Sequence, residues 1–397
     1  MKYWRGYLVA AILAACTWAF REFAESHSKL VDMVYPYITR MIQNFMAGWS
    51  GGVEFCLWQT ILLALVVLAV ASIVLMLVLR WNPIEWFGWV LSVVSLILLL
   101  HTGIFGMNEF AGPIAEDIRL MEVEVDDQKM EEAAVYFRDQ AGALSGQVTG
   151  TANLATLNEK AIEGFDTLVY DRYLAVFAGA EDPVKELGMA QWFTQRGEMG
   201  FTVAITGEAA LNPETPAFMQ PFAVCRELCY RRCIASQRDK HFGAFMVAQA
   251  NTDPEFQYAA YVMAYRYCLN ALPETTASIV NAQANSKVKA DVETWNEFVA
   301  PAEALAAEKA QKEGLVDTTN TEIAELLVRW QYQEIVIPSI TEPEKEFDPM
   351  DETQVDLTGL PHADAAKNPV EETLDEYLEE TDEESYEEDY EEDYEDA

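Results

Sequence analysis

The long uncharged apolar stretches of this chain all lie before residue 107. The run from Cys56 to Leu79 is 24 residues without a charge, and another extends from Ile84 to about residue 105. A shorter run, Gly6–Phe20, covers roughly 22 Å as a helix. The pattern predicts a multi-pass anchor, residues 1–106, with spans at about 6–20, 56–79 and 84–105.

The first apolar run has a second interpretation. Leu13-Ala14-Ala15-Cys16 fits a bacterial lipobox, in which Cys16 becomes a lipidated N-terminus after cleavage. The apolar run continues through Trp18 and Phe20 beyond the cysteine, which favours an uncleaved span. In both cases the segment that follows lies outside.

Positive charges set the expected orientation. Lys2, Arg5 and Arg80 place the N-terminus and the turn between the second and third spans on the cytoplasmic side. Three spans from an inside start leave residues 107–397, including the C-terminus, outside the cell membrane. The bias is reduced by three basic residues of the outer loop, Arg21, Lys29 and Arg40. His101, near the outer end of the third span, is interpreted as an interfacial histidine.

Residues 21–52 carry apolar side chains at helical spacing, among them Ile38, Met41, Phe45 and Trp49. Two interpretations remain open for this helix. It packs on the membrane-proximal face of the outer domain, or it lies in the membrane interface.

Residues 107–340 have mostly helical apolar periodicity and predict one α-rich domain. The exception is the β-prone segment Phe201–Ile205, which ends in Thr206-Gly207. Long helices are expected at about 218–235, 239–251, 254–272, 285–313 and 320–335. The fold class is therefore mainly α, with a small β edge element.

The formal net charge is -39, and residues 371–397 contribute -17 of it through 17 Asp and Glu without a Lys or Arg. The remaining -22 argues against nucleic acid as a partner. Residues 341–397 are poor in apolar residues and are predicted to be a disordered acidic tail. A solvated tail is the simpler interpretation, and a weak Ca²⁺ site or a ligand for a basic partner is the alternative.

Cys225, Cys229 and Cys233 are spaced by four residues, which predicts one helix face. Neighbours on one helix are poor disulfide partners, although Cys268 could bridge to one of them from an adjacent helix. Buried thiols that pack as small apolar groups are the favoured interpretation.

The candidate site lies in the middle of the chain, where Arg226-Glu227-Leu228-Cys229-Tyr230 has the frame of an H-E-x-x-H zinc-peptidase helix. In a working site the two imidazoles bind the metal one turn apart, and the glutamate is the general base. Here Arg226 and Tyr230 occupy the imidazole positions, and only Glu227 keeps its expected identity.

The surrounding residues resemble a bacterial membrane family of unknown function, with three transmembrane segments and an outward-facing H-E-x-x-H domain. The resemblance covers roughly residues 187–272. It is carried by Gly200-Phe201, Thr206-Gly207-Glu208-Ala209, Asn212-Pro213, Pro216, Pro221-Phe222, the frame 226–230, Gln237-Arg238-Asp239, Phe242 and Phe256–Tyr261. It implies a zincin-like domain with an edge strand before the metal helix. The departures fall on the metal positions Arg226 and Tyr230 and on the downstream acidic motif, which reads Gln237 and Asp239.

Two kinds of chemistry can be considered for this site. Zinc hydrolysis needs about three ligands and an open position, so a rebuilt site from Asp239, His241 and the thiols is the less favoured alternative. We expect no cofactor, and we expect Arg226 to neutralise Glu208, Glu227 and Asp239 in place of the metal. The basic residues of this region also predict an anion or ligand site. Its expected residues are Arg226, Glu208, Arg231, Arg238 and His241.

Three function classes are compatible with these residues. The favoured one is a catalytically inactive, membrane-anchored, metallopeptidase-like protein that binds a ligand or partner at the bacterial envelope. The alternatives are a divergent zinc metallopeptidase and a structural envelope protein. The expected partners are the lipid bilayer and an envelope protein or polymer.

Overall fold

The computed structural model describes residues 4–150 and 153–338. Within them, three helices near the N-terminus are long and apolar enough to cross a membrane: α1 (Arg5–Ser26), α3 (Leu57–Val78) and α4 (Pro83–Ile104). The three predicted spans are confirmed. Helix α1 continues beyond the apolar run that ends at Phe20, because no helix-breaking residue intervenes before His27.

Helices α1 and α4 are in close contact through small residues. A Cβ atom added to Gly6 would lie 2.5 Å from the backbone carbon of Gly88, and Ser92 Oγ donates to the Gly6 carbonyl at 2.7 Å. Such contacts let helix backbones approach closely in a bilayer. Helix α3 stands apart from this pair, and of its residues only Met76 is buried.

Helix α2 (Ser28–Gly51) packs one face on the domain. Thr39 and Gln43 are fully buried, and Gln43 Nε2 donates to the Ala204 carbonyl at 2.9 Å. Gly207, with φ of +66°, allows this contact, since a Cβ there would lie 2.5 Å from the Ala47 nitrogen. The first interpretation of this helix is therefore correct for its inner face.

The rest of the described chain is mainly helical, as predicted. Its helices are α5 (Ile114–Asp117), α6 (Asp127–Leu144), α7 (Leu154–Leu168), α8 (Leu174–Phe177), α9 (Ala190–Thr194), α10 (Gln220–Arg231), α11 (Gln237–Gln249), α12 (Pro254–Ala271), α13 (Glu274–Ala282), α14 (Ser286–Lys312) and α15 (Thr319–Gln331). Short 3₁₀ segments occupy Gly106–Phe110 and Ala217–Met219, and π-helical turns occupy Val169–Tyr173 and Tyr332–Val336. Helices α10, α11 and α12 form the centre of the core, in which Phe222, Phe245 and Tyr265 are buried.

The small sheet has the strand order β1-β3-β2, with β1 (Lys185–Glu186), β2 (Gly200–Val203) and β3 (Glu208–Leu211). Strand β1 is parallel to β3 and β2 is antiparallel to it. Strand β2 is thus an edge strand that precedes the candidate helix, as the β-prone segment predicted.

All six cysteines are free thiols, and the four in the domain are buried. The prediction that Cys233 shares a helix face with Cys225 and Cys229 is wrong. Helix α10 ends at Arg231, and Cys233 adopts a left-handed φ of 72° beyond it, where it packs with Phe105 and Ala204. The predicted acidic tail, 341–397, lies outside the described residues.

Candidate functional site

Helix α10 carries the site. Pro221 lies at its start, where the missing N–H costs nothing, and the apolar residues around Arg226 bury the whole helix. Arg226 and Glu227 are only 6% and 3% exposed. The Arg226 guanidinium donates through Nη1 to Glu227 Oε1 at 2.6 Å. This buried ion pair is formed by the first two residues of the 226–230 frame.

Edge strand β2 contacts the second oxygen of the Glu227 carboxylate. Thr202 Oγ1 donates to Glu227 Oε2 at 2.7 Å. Gly200 allows this approach, because a Cβ atom at that position would lie 2.7 Å from Glu227 Cγ. Both oxygens of Glu227 are therefore engaged by protein donors.

Lys240 of α11 brings a second buried cation to the same place. Its ammonium lies 5.0 Å from the centre of the Tyr230 ring. Burial, together with the charge of Arg226, lowers the pKa of Lys240 to about 7, while Glu227 and Glu198 act in the opposite direction. The charge of Glu227 thus acts on two basic groups, of which Arg226 forms the ion pair.

Tyr230 faces the membrane anchor. Its ring lies 4.7 Å from that of Phe105, directly after the third span, and burial raises the pKa of its hydroxyl to about 12. Tyr230, the residue at the second imidazole position, therefore forms an apolar contact between the domain and the anchor.

Asp239 does not join Arg226. Its carboxylate accepts from Arg238 Nε at 2.8 Å, and its own N–H donates to Ser236 Oγ at the start of α11. Arg238 also lies 3.8 Å from Glu322 on α15. The downstream acidic position and Arg238 therefore belong to a separate, partly exposed cluster.

Glu208 is also separate from Arg226, contrary to expectation. Its Oε1 accepts from Lys185 Nζ at 2.6 Å and from the Leu57 N–H at 2.7 Å, and its Oε2 accepts from the Trp58 N–H at 2.8 Å. Lys185 Nζ also donates to the carbonyls of Ser50 and Phe55. The carboxylate thus caps the N-terminus of the second span, where the helix dipole favours negative charge.

Arg231 and its neighbour Arg232 hold a loop rather than an anion. Arg231 donates to the carbonyls of Ala180 and Asp182, and Arg232 donates to the Phe177 carbonyl. Both guanidinium groups are buried away from the Arg226 face. Of the residues predicted to form an anion site, only Arg226 and His241 lie next to the same cavity.

These two residues line a cavity of about 370 Å³ between α10, α11, α12, α14 and the start of α15. Arg266 of α12 also lines it, with Nη2 donating to Glu303 at 2.7 Å. His241 Nδ1 is hydrogen-bonded to the Tyr267 hydroxyl. Burial, followed by Arg226, lowers the pKa of His241 well below its ordinary value, so the ring is neutral. The apolar part of the wall consists of Met199, Met263, Trp295, Val299, Ala302 and Ile323.

Two donors on this wall lack an acceptor within the described part of the chain. Arg226 Nε and Trp295 Nε1 are both buried without a hydrogen-bond partner. They belong to residues on different helices that line the same cavity. A buried donor without a partner costs about 1–3 kcal/mol, so each of these two groups would be stabilised by an acceptor.

The residues do not fit a zinc site. Tyr230 contacts Phe105, Asp239 is held by Arg238, and a guanidinium stands beside the expected general base. Among residues 4–150 and 153–338, no three His, Cys, Asp or Glu side chains are grouped so that they could hold a metal ion. A hydrolytic zinc needs about three such ligands.

A family profile described as Protein of unknown function (DUF3810) matches residues 31–314. The chain is a DUF3810 protein. The match takes in most of α2, all of α3 and α4, the sheet and the helices that line most of the cavity, and it confirms the expected membership of a family of unknown function. No curated protein and no solved structure matches this DUF3810 chain.

The sequence pattern assigned no role in the site to Lys185, Lys240, Arg266 or Trp295. Lys240 stands within the basic run after α10, which could have pointed to it. Lys185 has no local signal, because its partner Glu208 lies 23 residues away along the chain, and Trp295 has the sequence pattern of an ordinary core residue. Arg226 pairs with the single carboxylate of Glu227 rather than with the three that were expected, and its replacement of a metal stays a prediction.

Proposed function

We propose that this DUF3810 protein is a membrane-anchored binding protein without peptidase activity, and that its cavity takes a carboxylate carried on an apolar group. The observation that carries the proposal is that Arg226 and Trp295, each with a buried donor that lacks a partner, Nε and Nε1, both line one cavity. Both are donors, so the complement is an acceptor. A guanidinium favours a carboxylate acceptor over a neutral one.

The apolar part of the wall supports the same ligand class, and the lining also includes the carboxylates Glu198, Glu303 and Asp317, of which Glu303 is paired with Arg266. Met199, Met263 and Val299 offer an apolar surface, and a cavity of about 370 Å³ is in the size range of small-ligand sites. The neutral His241 ring adds no charge. A short peptide ending in an apolar residue, or a small aliphatic or aromatic acid, matches this combination.

The peptidase alternative is weaker for a physical reason. Each oxygen of Glu227 already accepts a hydrogen bond from a protein donor, Arg226 or Thr202, which leaves fewer acceptor positions for a water molecule. We therefore propose that no zinc is required. Elemental analysis that finds about one Zn²⁺ per chain, lost on Asp239→Ala, would contradict this part of the proposal.

The test of binding is calorimetry on the full-length protein in detergent. The probes are N-acetyl-phenylalanine, its neutral primary amide, benzoate and acetate. N-acetyl-phenylalanine is expected to bind at least about tenfold more tightly than its amide, since a hydrogen bond to a charged group contributes at least about 1.5 kcal/mol.

Matched variants locate the site. Arg226→Gln is expected to abolish the preference for the carboxylate, and Trp295→Phe to weaken it. Arg238→Gln is the control, because Arg238 pairs with Asp239 outside the cavity and should leave binding unchanged. Equal affinity for acid and amide, or no binding of any carboxylate, would contradict the proposal. Hydrolysis of labelled casein that requires zinc and is lost in Glu227→Gln would favour the peptidase instead.

We further propose that the domain and the C-terminus lie outside the cell membrane. The support is Lys2, Arg5 and Arg80 on the opposite side of three spans. Protease added to intact cells should remove a C-terminal epitope tag. A tag protected until the cells are lysed would reverse the orientation.

A further inference from the structure

Helix α2 presents an apolar stripe outward along most of its length. The stripe consists of Met33, Tyr37, Ile38, Met41, Phe45 and Trp49, all of which are more than half exposed, and Met41 and Phe45 reach 73% and 71%. Their spacing of three to four residues places them on one side of the helix. Within the described part of the chain this stripe remains uncovered, and none of its members is charged.

Most polar residues between Val31 and Gly51 of the same helix are turned toward the protein, whereas Asn44 is exposed. Thr39, Gln43 and Ser50 are buried. Arg40 donates to the carbonyls of Ala175 and Arg232, and Asp32 accepts from the Gly112 N–H at 2.8 Å. This arrangement is the reverse of a helix on a soluble domain, whose apolar side faces the core and whose charges face water.

The place of α2 in the chain identifies what covers the stripe. At its start, only His27 separates α2 from the end of α1, the first span. At its end, the short connection 52–56 leads into α3, the second span, which begins at Leu57. Both ends of α2 are therefore held at the same surface of the membrane. Helix α2 is not itself among the helices that are apolar enough to cross a membrane.

We propose that α2 lies in the plane of the membrane interface, with its inner face on the domain and its outer stripe in the lipid. An interfacial helix of this kind buries its apolar face about 5–10 Å into the boundary between headgroups and acyl chains. Tyr37 and Trp49 are the residue types that concentrate at this level. The outer stripe of α2 thus contacts the same bilayer that the spans cross.

A second copy of the chain is the competing occupant, and the stripe favours lipid over it. A protein interface has an apolar centre with a polar rim. Between Met33 and Trp49 the exposed side of the helix has no charged residue and one polar side chain, Asn44, and the helix connects at both ends to spans.

The test places a fluorophore on the stripe. Full-length protein carrying Cys16→Ser and Met41→Cys is labelled with an environment-sensitive dye and reconstituted in palmitoyl-oleoyl phosphatidylcholine vesicles. Nitroxides are placed at the headgroup, near the top of the acyl chain, or deep within it. The shallow acyl nitroxide is expected to quench most strongly, which corresponds to a depth of about 5–10 Å.

Phe45→Cys is a second stripe position and should give the same depth, so the result does not depend on one substitution. Glu131→Cys, on the exposed face of α6, is the control and should be quenched by aqueous iodide but not by lipid nitroxides. Iodide quenching at Met41→Cys without lipid quenching would overturn the proposal. Efficient disulfide formation between two copies at Met41→Cys without lipid quenching would overturn it in favour of a dimer.

Discussion

Glu208 and Glu227 are two buried glutamates of one domain, each ion-paired at 2.6 Å, and they differ in how completely their networks are satisfied. Glu208 has three donors, and its partner Lys185 has three acceptors. Each oxygen of Glu227 also accepts a hydrogen bond, but its partner Arg226 keeps one buried N–H without an acceptor among the described residues.

The difference distinguishes an ion pair that only stabilises the structure from one that keeps a donor for a ligand. A fully satisfied buried network fixes one geometry and has nothing left to offer a ligand. A network with one open donor beside a cavity keeps a specific binding capacity. We therefore assign the Lys185–Glu208 pair to the attachment of the anchor and the Arg226–Glu227 pair to the site.

The largest effect is expected from Lys185→Ala. It leaves the Glu208 carboxylate buried without its cation, which should lower the free energy of unfolding by about 3–5 kcal/mol. Urea unfolding of the full-length protein in detergent, followed by tryptophan fluorescence, measures it. Lys185→Met with Glu208→Gln should recover part of the loss. Lys287→Ala, from a partly exposed pair with Asp291, is the control and should cost under about 1 kcal/mol.

Arg226→Ala should have a smaller effect, about 3 kcal/mol by the same measurement, because Thr202 and Lys240 still stabilise Glu227. Arg226→Lys keeps a cation and should lose less. A loss larger than that of Lys185→Ala would show that Arg226 is the principal structural cation of the domain. Arg226→Ala with the stability of the parent would show that the pair contributes nothing.

The third prediction concerns pH and Lys240. Its pKa of about 7 lies below the ordinary value of 10.5, so the unfolded chain binds the proton more strongly than the folded one does. The free energy of unfolding should therefore rise between about pH 7 and 10.5, by at most about 1.4 kcal/mol for each pH unit. Lys240→Met should remove this part of the rise. Parallel pH profiles for parent and variant would contradict the buried position of Lys240.

The smallest effect is expected from Arg238→Ala. Its side chain is 31% exposed, and its pairs with Asp239 and Glu322 are screened by water. The free energy of unfolding should fall by under about 1 kcal/mol. A loss of stability comparable to that of Arg226→Ala would contradict the assignment of Asp239 to a separate, partly exposed cluster.

Much of the architecture could be predicted from local patterns, because span length and helical periodicity depend on neighbouring residues. The three spans, the edge strand and the helix around Arg226 belong to this class. The partners of the glutamates could not be predicted. Glu208 meets a lysine 23 residues away and a helix start 151 residues away, whereas Asp239 pairs with the residue next to it. Ion pairing follows the tertiary structure, and a motif shows only which residues require partners.

The cap that Glu208 places on α3 has a mechanical consequence. The first turn of a membrane-crossing helix is hydrogen-bonded to the central strand of the sheet, so no flexible linker separates the bilayer from the domain at this point. The domain is therefore attached rigidly to the start of α3 through these hydrogen bonds. The distance between the cavity and the membrane-spanning helices is therefore a fixed property of the fold, and a ligand of the class proposed above would have to reach the cavity at that distance.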